Sequence, residues 1–334
     1  MSAYPAINFT GNKRKLTDWI ISNLPVKGGK VLDLFAGGCS VSYALKQAGY
    51  TVYSNDGLFS NYVISKAIVE NDKITLERGV FDTHVSDSAI QRKIHQISYL
   101  SNNLYFDYEI PELAELLCIS DTLTGYRKAM YLSLLRRAMI RKLPYSRMNV
   151  PWNKIVQLRD EDYSYERYGR KRAYHNKSFR YHMLDGLCDY NKAVFSNGKK
   201  CKSMREDAVY LARAVGYVDA VYMDPPYPST LNNYQEFYGP FGRMFGYSEK
   251  LISDFTSRTA FLTNMNYILA YLKGKTRYAV LSINTNVVPT PNEIKQLMSY
   301  YGDVSVVSKR HNYQVTGKAN KNATQELLMT LVYR

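Results

Sequence analysis

Residues 31–56 read VLDLFAGGCSVSYALKQAGYTVYSND, and this stretch decides the fold. VLDLF at 31–35 is a short apolar run with strand character, and it ends on Ala36-Gly37-Gly38. Val41, Ala44, Leu45 and Ala48 then recur at the three- and four-residue spacing of a helix face. Gly49 supplies a stop for that helix, and Thr51 to Ser54 begins a second strand running into Asn55-Asp56. Strand, glycine turn, helix and strand make a βαβ-like unit, the building block of parallel sheets. Val218 to Met223, Tyr278 to Ile283, Val304 to Ser308 and Leu327 to Tyr333 predict four further strands. Several are nearly continuous apolar runs, as in strands buried on both faces. The prediction is an α/β fold on a mostly parallel sheet.

Between the two sets of strands the pattern changes. Ile90, Ile94, Ile97 and Leu100, then Leu113, Leu116 and Leu117, then Met130, Tyr131, Leu134, Leu135 and Ala138 predict three helices. Pro144 to Asn197 has weak periodicity and abundant Arg, Tyr and Asn, and reads as an irregular basic surface. A chain of 334 residues has room for two lobes. The expected division is a domain of residues 1–60 and 206–334 carrying an inserted, largely helical domain of residues 61–205.

Lys and Arg number 44 against 29 Asp and Glu, and the net +15 is concentrated. From Arg136 to Arg205 there are 18 Lys or Arg and 6 Asp or Glu, a net of +12. The same window holds Tyr145, Tyr163, Tyr165, Tyr168, Tyr174, Tyr181 and Tyr190, with Trp152, Phe179 and Phe195. Cations that release counterions from phosphates, interleaved with rings that stack or wedge, suit a polyanion carrying bases. A solvated charged face is the plain alternative, but it does not explain why nearly all the net charge falls in one window.

Four cysteines, at 39, 118, 188 and 201, show no CxxC spacing, and none of the five histidines sits at zinc-ligand spacing. Neither a disulfide framework nor a metal site is expected. The N-terminal MSAYPAINFTGNKRKL lacks the apolar core of a secretory signal, and no stretch approaches the roughly 18 apolar residues of a membrane span. The expectation is a cytoplasmic protein, without membrane association, that is a monomer or weak dimer.

The sharpest chemical feature is Asp224-Pro225-Pro226-Tyr227, directly after the VDAVYM strand. A loop leaving the carboxyl end of a sheet strand is where open α/β folds bind ligands. Two prolines stiffen it and remove two backbone donors. What remains is a carboxylate, backbone carbonyls and a ring, which would suit an exocyclic amine on a planar partner. An ordinary Pro-Pro turn accounts for the prolines but not for the acid and ring flanking them. The second feature is the turn Asp33-Leu34-Phe35-Ala36-Gly37-Gly38-Cys39-Ser40, where glycines let a ligand approach the backbone ahead of a helix N-terminus. It is not GxGxxG, which speaks against NAD. Asp56, ending the second strand, is placed either to bind both hydroxyls of a ribose or to cap the next helix.

At this point the chain resembles the Dam-type DNA adenine-N6 methyltransferases, in the group whose cofactor motifs precede the catalytic one. The resemblance rests on an ordered set: Phe9-Thr10-Gly11-Asn12-Lys13, DLFAGG at 33–38, Asn55-Asp56, Asp207, DPPY at 224–227 and the C-terminal QELLMTLVY. It covers the first 60 and roughly the last 130 residues. It implies a Rossmann-like S-adenosyl-L-methionine-dependent methyltransferase fold with an inserted DNA-recognition domain. It implies that Phe9, Lys13 and Asp33 help bind the cofactor, that Gly37 and Gly38 lie by its methionine portion, Asp56 by its ribose and Asp207 by its adenine. Asp207 could equally be the N-cap of the helix after it. Phe9 stands where the family often has tryptophan, and Cys39 and Asn12 stand where glycine is common.

The implied reaction is methyl transfer to the exocyclic amine of an adenine flipped out of double-stranded DNA, as in restriction-modification. Asp224 and a carbonyl of Pro225 or Pro226 would accept the amine hydrogens and localise the nitrogen lone pair, and Tyr227 would stack on the base. No cysteine follows a proline, the usual setting of the nucleophile in cytosine carbon-5 methylation, which speaks against that reaction. The segment PSTLNNYQEFYGPFGRMFGY at 228–247 either closes over the flipped base or is an ordinary long loop. An RNA adenine methyltransferase and a non-catalytic DNA-binding protein with a vestigial cofactor fold stay open as alternatives. A cytosine-N4 enzyme usually has Ser in place of Asp224.

Overall fold

The computed structural model describes residues 3–169, 173–228, 233–247, 253–310 and 325–334. The chain forms two compact units, one of Lys13–Gly57, Asn197–Tyr234 and Glu249–Arg334, the other of Met1–Asn12, Leu58–Ser196 and Gln235–Ser248. The sequence reading assigned 61–205 alone to the second body. In the structure, residues 58–60 and two further segments join it and residues 197–205 leave it.

The first unit is built on a seven-stranded sheet: β1 (Lys30–Asp33), β2 (Thr51–Asn55), β3 (Lys202–Met204), β4 (Ala220–Met223), β5 (Tyr278–Asn284), β6 (Gly302–Arg310) and β7 (Gln325–Tyr333). Their order is β3-β2-β1-β4-β5-β7-β6. The first five are parallel, and β7 runs antiparallel to both β5 and β6. The mixed α/β class and mostly parallel sheet are as the apolar runs predict. β4 is buried throughout and β5 through its interior. β6 departs from this: it is an edge strand, buried at Gly302 and exposed on both faces along most of its length. β3 escapes the sequence reading because Lys-Ser-Met is too short to show a period.

The helices Ala208–Ala214, Arg258–Leu272 and Pro291–Ser299 cover the sheet with Leu211, Phe261, Met265, Ile268, Leu269, Ile294 and Met298 against Leu32, Val221, Met223, Ala279, Leu281 and Ile283. Each such side chain contributes about 1.5–3 kcal/mol by leaving water. After β1 the chain builds β2 and β3 on one side, then returns to place β4 on the other. In open α/β sheets ligands are taken at the carboxyl ends of the strands beside such a reversal, here β1 and β4.

The second unit is helical, and none of the seven strands lies in it. Its helices are Phe59–Ser65, continued as a π-helix at Lys66–Glu70, then Asp87–Ile97, Ile110–Asp121, Gly125–Arg141, Trp152–Arg159, Glu161–Tyr168, Phe179–Ala193 and Tyr234–Arg243. Three of them correct the expected irregularity of 144–197. Helix Phe179–Ala193 does bury a periodic stripe, but it consists of Phe179, His182, Met183, Gly186, Tyr190 and Ala193, and His, Gly and Tyr disguise the period. Gly186 is there for close packing: a Cβ would lie 2.8 Å from Arg137 Nη1 and 3.1 Å from Leu134. The 228–247 segment is not one long loop either, since 234–243 is helical and buries Phe237, Tyr238 and Phe241. Residues 229–232 of that segment lie outside the described ones.

The basic window is also not all surface. Arg136, Arg137, Lys142 and Arg159 are buried, as are Phe179 and Tyr190. Arg136 Nη1 donates to the Ile7 carbonyl at 2.8 Å, and its guanidinium lies 4.9 Å from the Tyr238 ring centre. Arg137 donates to the carbonyls of Ala6 at 3.0 Å and His182 at 2.9 Å. These cations staple backbone segments instead of meeting a polyanion. Tyr145, Tyr165, Tyr168, Tyr174 and Tyr181 remain outward, with 42–57% of their surface exposed. Arg167 and Lys177 are exposed among them, while Arg170, Lys171 and Arg172 lie outside the described residues.

Candidate active site

The parallel strands deliver their carboxyl ends to one edge of the sheet. Asp33 ends β1, Asp56 follows β2 and Asp224 follows β4, with Asp33 in register with Ser54 and Tyr222. β7 runs the other way, so its beginning reaches the same edge, where Glu326 pairs with Asn284 at the end of β5. Lys13 completes the group. Its buried ammonium lies 3.1 Å from Asp224 Oδ1 and 3.2 Å from Glu326 Oε1. Ser282 Oγ donates to Glu326 Oε1 at 2.5 Å.

Burial raises the Asp224 carboxyl to about 6, with Lys13 pulling it down and Glu326 pushing it up. Asp33 rises further, to about 7, because it is deeply buried; the Ser42 hydrogen bond opposes the rise, and the Asp224 and Asp56 charges add to it. Ser42 Oγ donates to Asp33 Oδ2 at 2.6 Å, whereas Asp33 Oδ1 is buried without a hydrogen-bond partner. The site is thus acidic at a sheet edge, and a ligand with positive charge would relieve it.

Pro225 is buried and Pro226 half-buried beside Asp224, as a rigid turn requires. The Tyr227 hydroxyl accepts a hydrogen bond from Asn284, and burial pushes its pKa up to about 12, so the ring is both fixed and neutral. The glycine turn is tied by Asp56, whose Oδ2 accepts from the Gly37 N–H at 2.8 Å. Asn55 locks the neighbouring loops by donating to the carbonyls of Leu34 and Glu206, both at 3.1 Å. Gly37 has φ +51°, and after Gly38 the chain passes through Cys39 at φ +64°. That left-handed conformation costs a non-glycine residue roughly 1–2 kcal/mol, which explains why a glycine is at ease where this chain has Cys39.

Asp207 is an N-cap. Its Oδ1 accepts from the Tyr210 N–H at 2.9 Å and its Oδ2 from the Ser253 N–H at 2.6 Å. Both oxygens are engaged with backbone, the alternative the sequence left open. Phe9 belongs to the helical unit, where it stacks on Tyr238 with ring centres 4.9 Å apart. The sheet unit therefore brings together Lys13, Asp33, Gly37, Gly38, Asp56 and the 224–227 turn. The sequence reading missed Glu326, Ser282 and Asn284. For Glu326 a signal was present, an acid opening an otherwise apolar strand.

Among the described residues no group of three or more His, Cys, Asp or Glu side chains could hold a metal ion, and no helix is long and apolar enough to cross a membrane.

Residues 9–279 match the family described as D12 class N6 adenine-specific DNA methyltransferase. The chain is also 38% identical to Type II methyltransferase M2.HphI of Haemophilus parahaemolyticus, over 99% of this chain and 98% of that protein. It is 24% identical to Modification methylase StsI of Streptococcus sanguinis, over 90% of this chain but 47% of that protein. Of the readings the sequence left open, the adenine-N6 DNA enzyme is the one these similarities carry.

Proposed function

The chain belongs to the D12 class of N6 adenine-specific DNA methyltransferases, and on that footing we propose that it uses S-adenosylmethionine to methylate a flipped adenine at a specific site in duplex DNA. The observation that carries the cofactor assignment is the cluster of Asp33, Asp56 and Asp224 at the carboxyl ends of parallel strands, with the Asp33 Oδ1 that no hydrogen bond reaches beside the glycine turn. A sulfonium cofactor carrying an ammonium group fits that charge. Asp33 and the Gly37-Gly38 turn would hold its amino-acid end and Asp56 its ribose. When bound it supplies an electrophilic methyl group.

The protein's own contribution is positioning and charge. Asp224 and a carbonyl of the Pro225-Pro226 turn accept the two hydrogens of the amine, which localises the nitrogen lone pair for attack. Tyr227, fixed by Asn284, offers a face to the extruded base, whose release from the stack costs a few kcal/mol. In the helical unit the exposed tyrosines and cations form the target-recognition surface. The names of the two relatives extend the reading to a modification methylase, the protective partner in restriction-modification.

Methylation with labelled S-adenosylmethionine tests the function: label is expected in N6-methyladenine of duplex DNA at one sequence context. Label in structured RNA alone would overturn it. The recognition surface is tested separately. Replacing Arg167 and Lys177 together with alanine is expected to reduce the slope of log affinity against log salt by about 2, since each phosphate contact contributes roughly 0.9. An unchanged slope would mean that these cations are solvated surface.

A further inference from the structure

We propose that Glu326 and Lys13 are positioning residues for methyl transfer: Glu326 shares the Lys13 ammonium with Asp224, so that Asp224 is held by a cation without losing its strength as an acceptor. The inference rests on the methyltransferase reading above. A buried carboxylate is costly unless paired, and Glu326 has no exposed surface at all. An apolar residue there would continue the β7 run of Leu327, Leu328 and Met329. Instead the chain buries a second acid against one ammonium, at 3.2 Å, while Asp224 takes the other side at 3.1 Å. Ser282 anchors the acid from β5.

The arrangement has a chemical logic. A carboxylate in an exclusive, buried ion pair gives its lone pairs to the cation and drops well below its ordinary pKa. It would then accept poorly from a neutral amine. A competing carboxylate on the far side of the ammonium takes up part of that field. Lys13, Asp224 and Glu326 together carry one net negative charge, which opposes the positive charge that develops on the attacked amine. Among the described residues, Asp33 on β1, Tyr222 on β4 and Tyr227 after it also interact electrostatically with Asp224. Both tyrosines stay neutral across the working pH range, and Asp33 is common to every variant compared below.

The two partners must therefore move Asp224 in opposite directions, which a merely structural role would not do. Carboxyl-carbon NMR titration of Asp224 in the free protein reads this directly, and the acid limb of the single-turnover methylation rate against pH reads it during catalysis. Glu326→Gln is expected to lower the Asp224 pKa and move the acid limb down, and Lys13→Met to raise both, each by about one pH unit or more. Shifts in the same direction, or none in either variant, would overturn the proposal. Should Lys13→Met fail to fold, the direction of the Glu326→Gln shift decides alone: downward supports the proposal, and anything else sinks it. A wild-type protein that transferred no methyl group would defeat the function proposed above, while the titration would still decide the role of Glu326.

Discussion

Asp224→Ala is expected to cut methyl transfer to duplex DNA by about 10³-fold or more while changing DNA affinity by less than about threefold. The asymmetry follows from where the side chain acts. In the proposed mechanism Asp224 contacts the reacting amine, and the proposed DNA surface lies on the exposed cations and tyrosines of the helical unit, so binding and chemistry separate. Folding should survive the change, because Lys13 keeps Glu326 as its partner at 3.2 Å. Asp224→Asn is expected to lose less than Asp224→Ala. Its amide oxygen still accepts one hydrogen, though without the negative charge that stabilises the developing cation. Single-turnover rates with saturating DNA and cofactor measure both variants. Turnover in the alanine variant within about tenfold of wild type would remove Asp224 from the chemistry, since a group acting at the reacting atom is worth more than that.

The sheet was legible because β4, β5 and β7 are largely apolar runs with clear stops, and because β1 and β2 bracket a glycine turn and a short helix. β3 was not, since three residues carry no period. The helix Phe179–Ala193 was hidden because its buried stripe uses His182, Gly186 and Tyr190, residues that usually mark surfaces, turns or rims. At the site, Asp56 and Asp224 stand out by their places at strand ends, while Phe9, Lys13 and Asp33 come into view through the family resemblance. Glu326 was not, because its meaning depends on β7 being antiparallel: only then does the beginning of a strand reach the edge where the other strands end. Charge was the least legible property. A count of 18 cations in one window cannot distinguish those that face solvent from Arg136, Arg137, Lys142 and Arg159, which face the interior.

Glu109→Ala is expected to destabilise the protein by about 3–5 kcal/mol, the cost of leaving buried charge without its partner. Glu109 meets Arg159 through two hydrogen bonds, at 2.8 and 2.7 Å, and Lys142 at 2.7 Å, all three side chains being nearly inaccessible. Burial alone would raise the Glu109 carboxyl, but the Arg159 hydrogen bonds and the Lys142 charge outweigh it and hold the group below its ordinary value. The stabilisation is therefore full above the ordinary glutamate range and is lost as pH falls through the depressed folded value. Because the trio carries one net positive charge, its members are not equivalent. Without Glu109, two cations face each other in the interior; with Arg159→Met, Glu109 and Lys142 remain as a balanced pair. Arg159→Met is accordingly expected to cost less than half as much as Glu109→Ala, although it removes the larger side chain. Urea unfolding at neutral pH measures both, and equal losses would mean that packing, not charge balance, holds the site. High salt separates this network from the proposed DNA surface. Screening reaches exposed phosphate contacts but hardly touches a buried trio, so the ranking of the two variants should persist at salt concentrations that abolish DNA binding. That persistence would assign Lys142 and Arg159 to the frame that holds the exposed tyrosines in place, and would take them out of the count of cations available to the DNA.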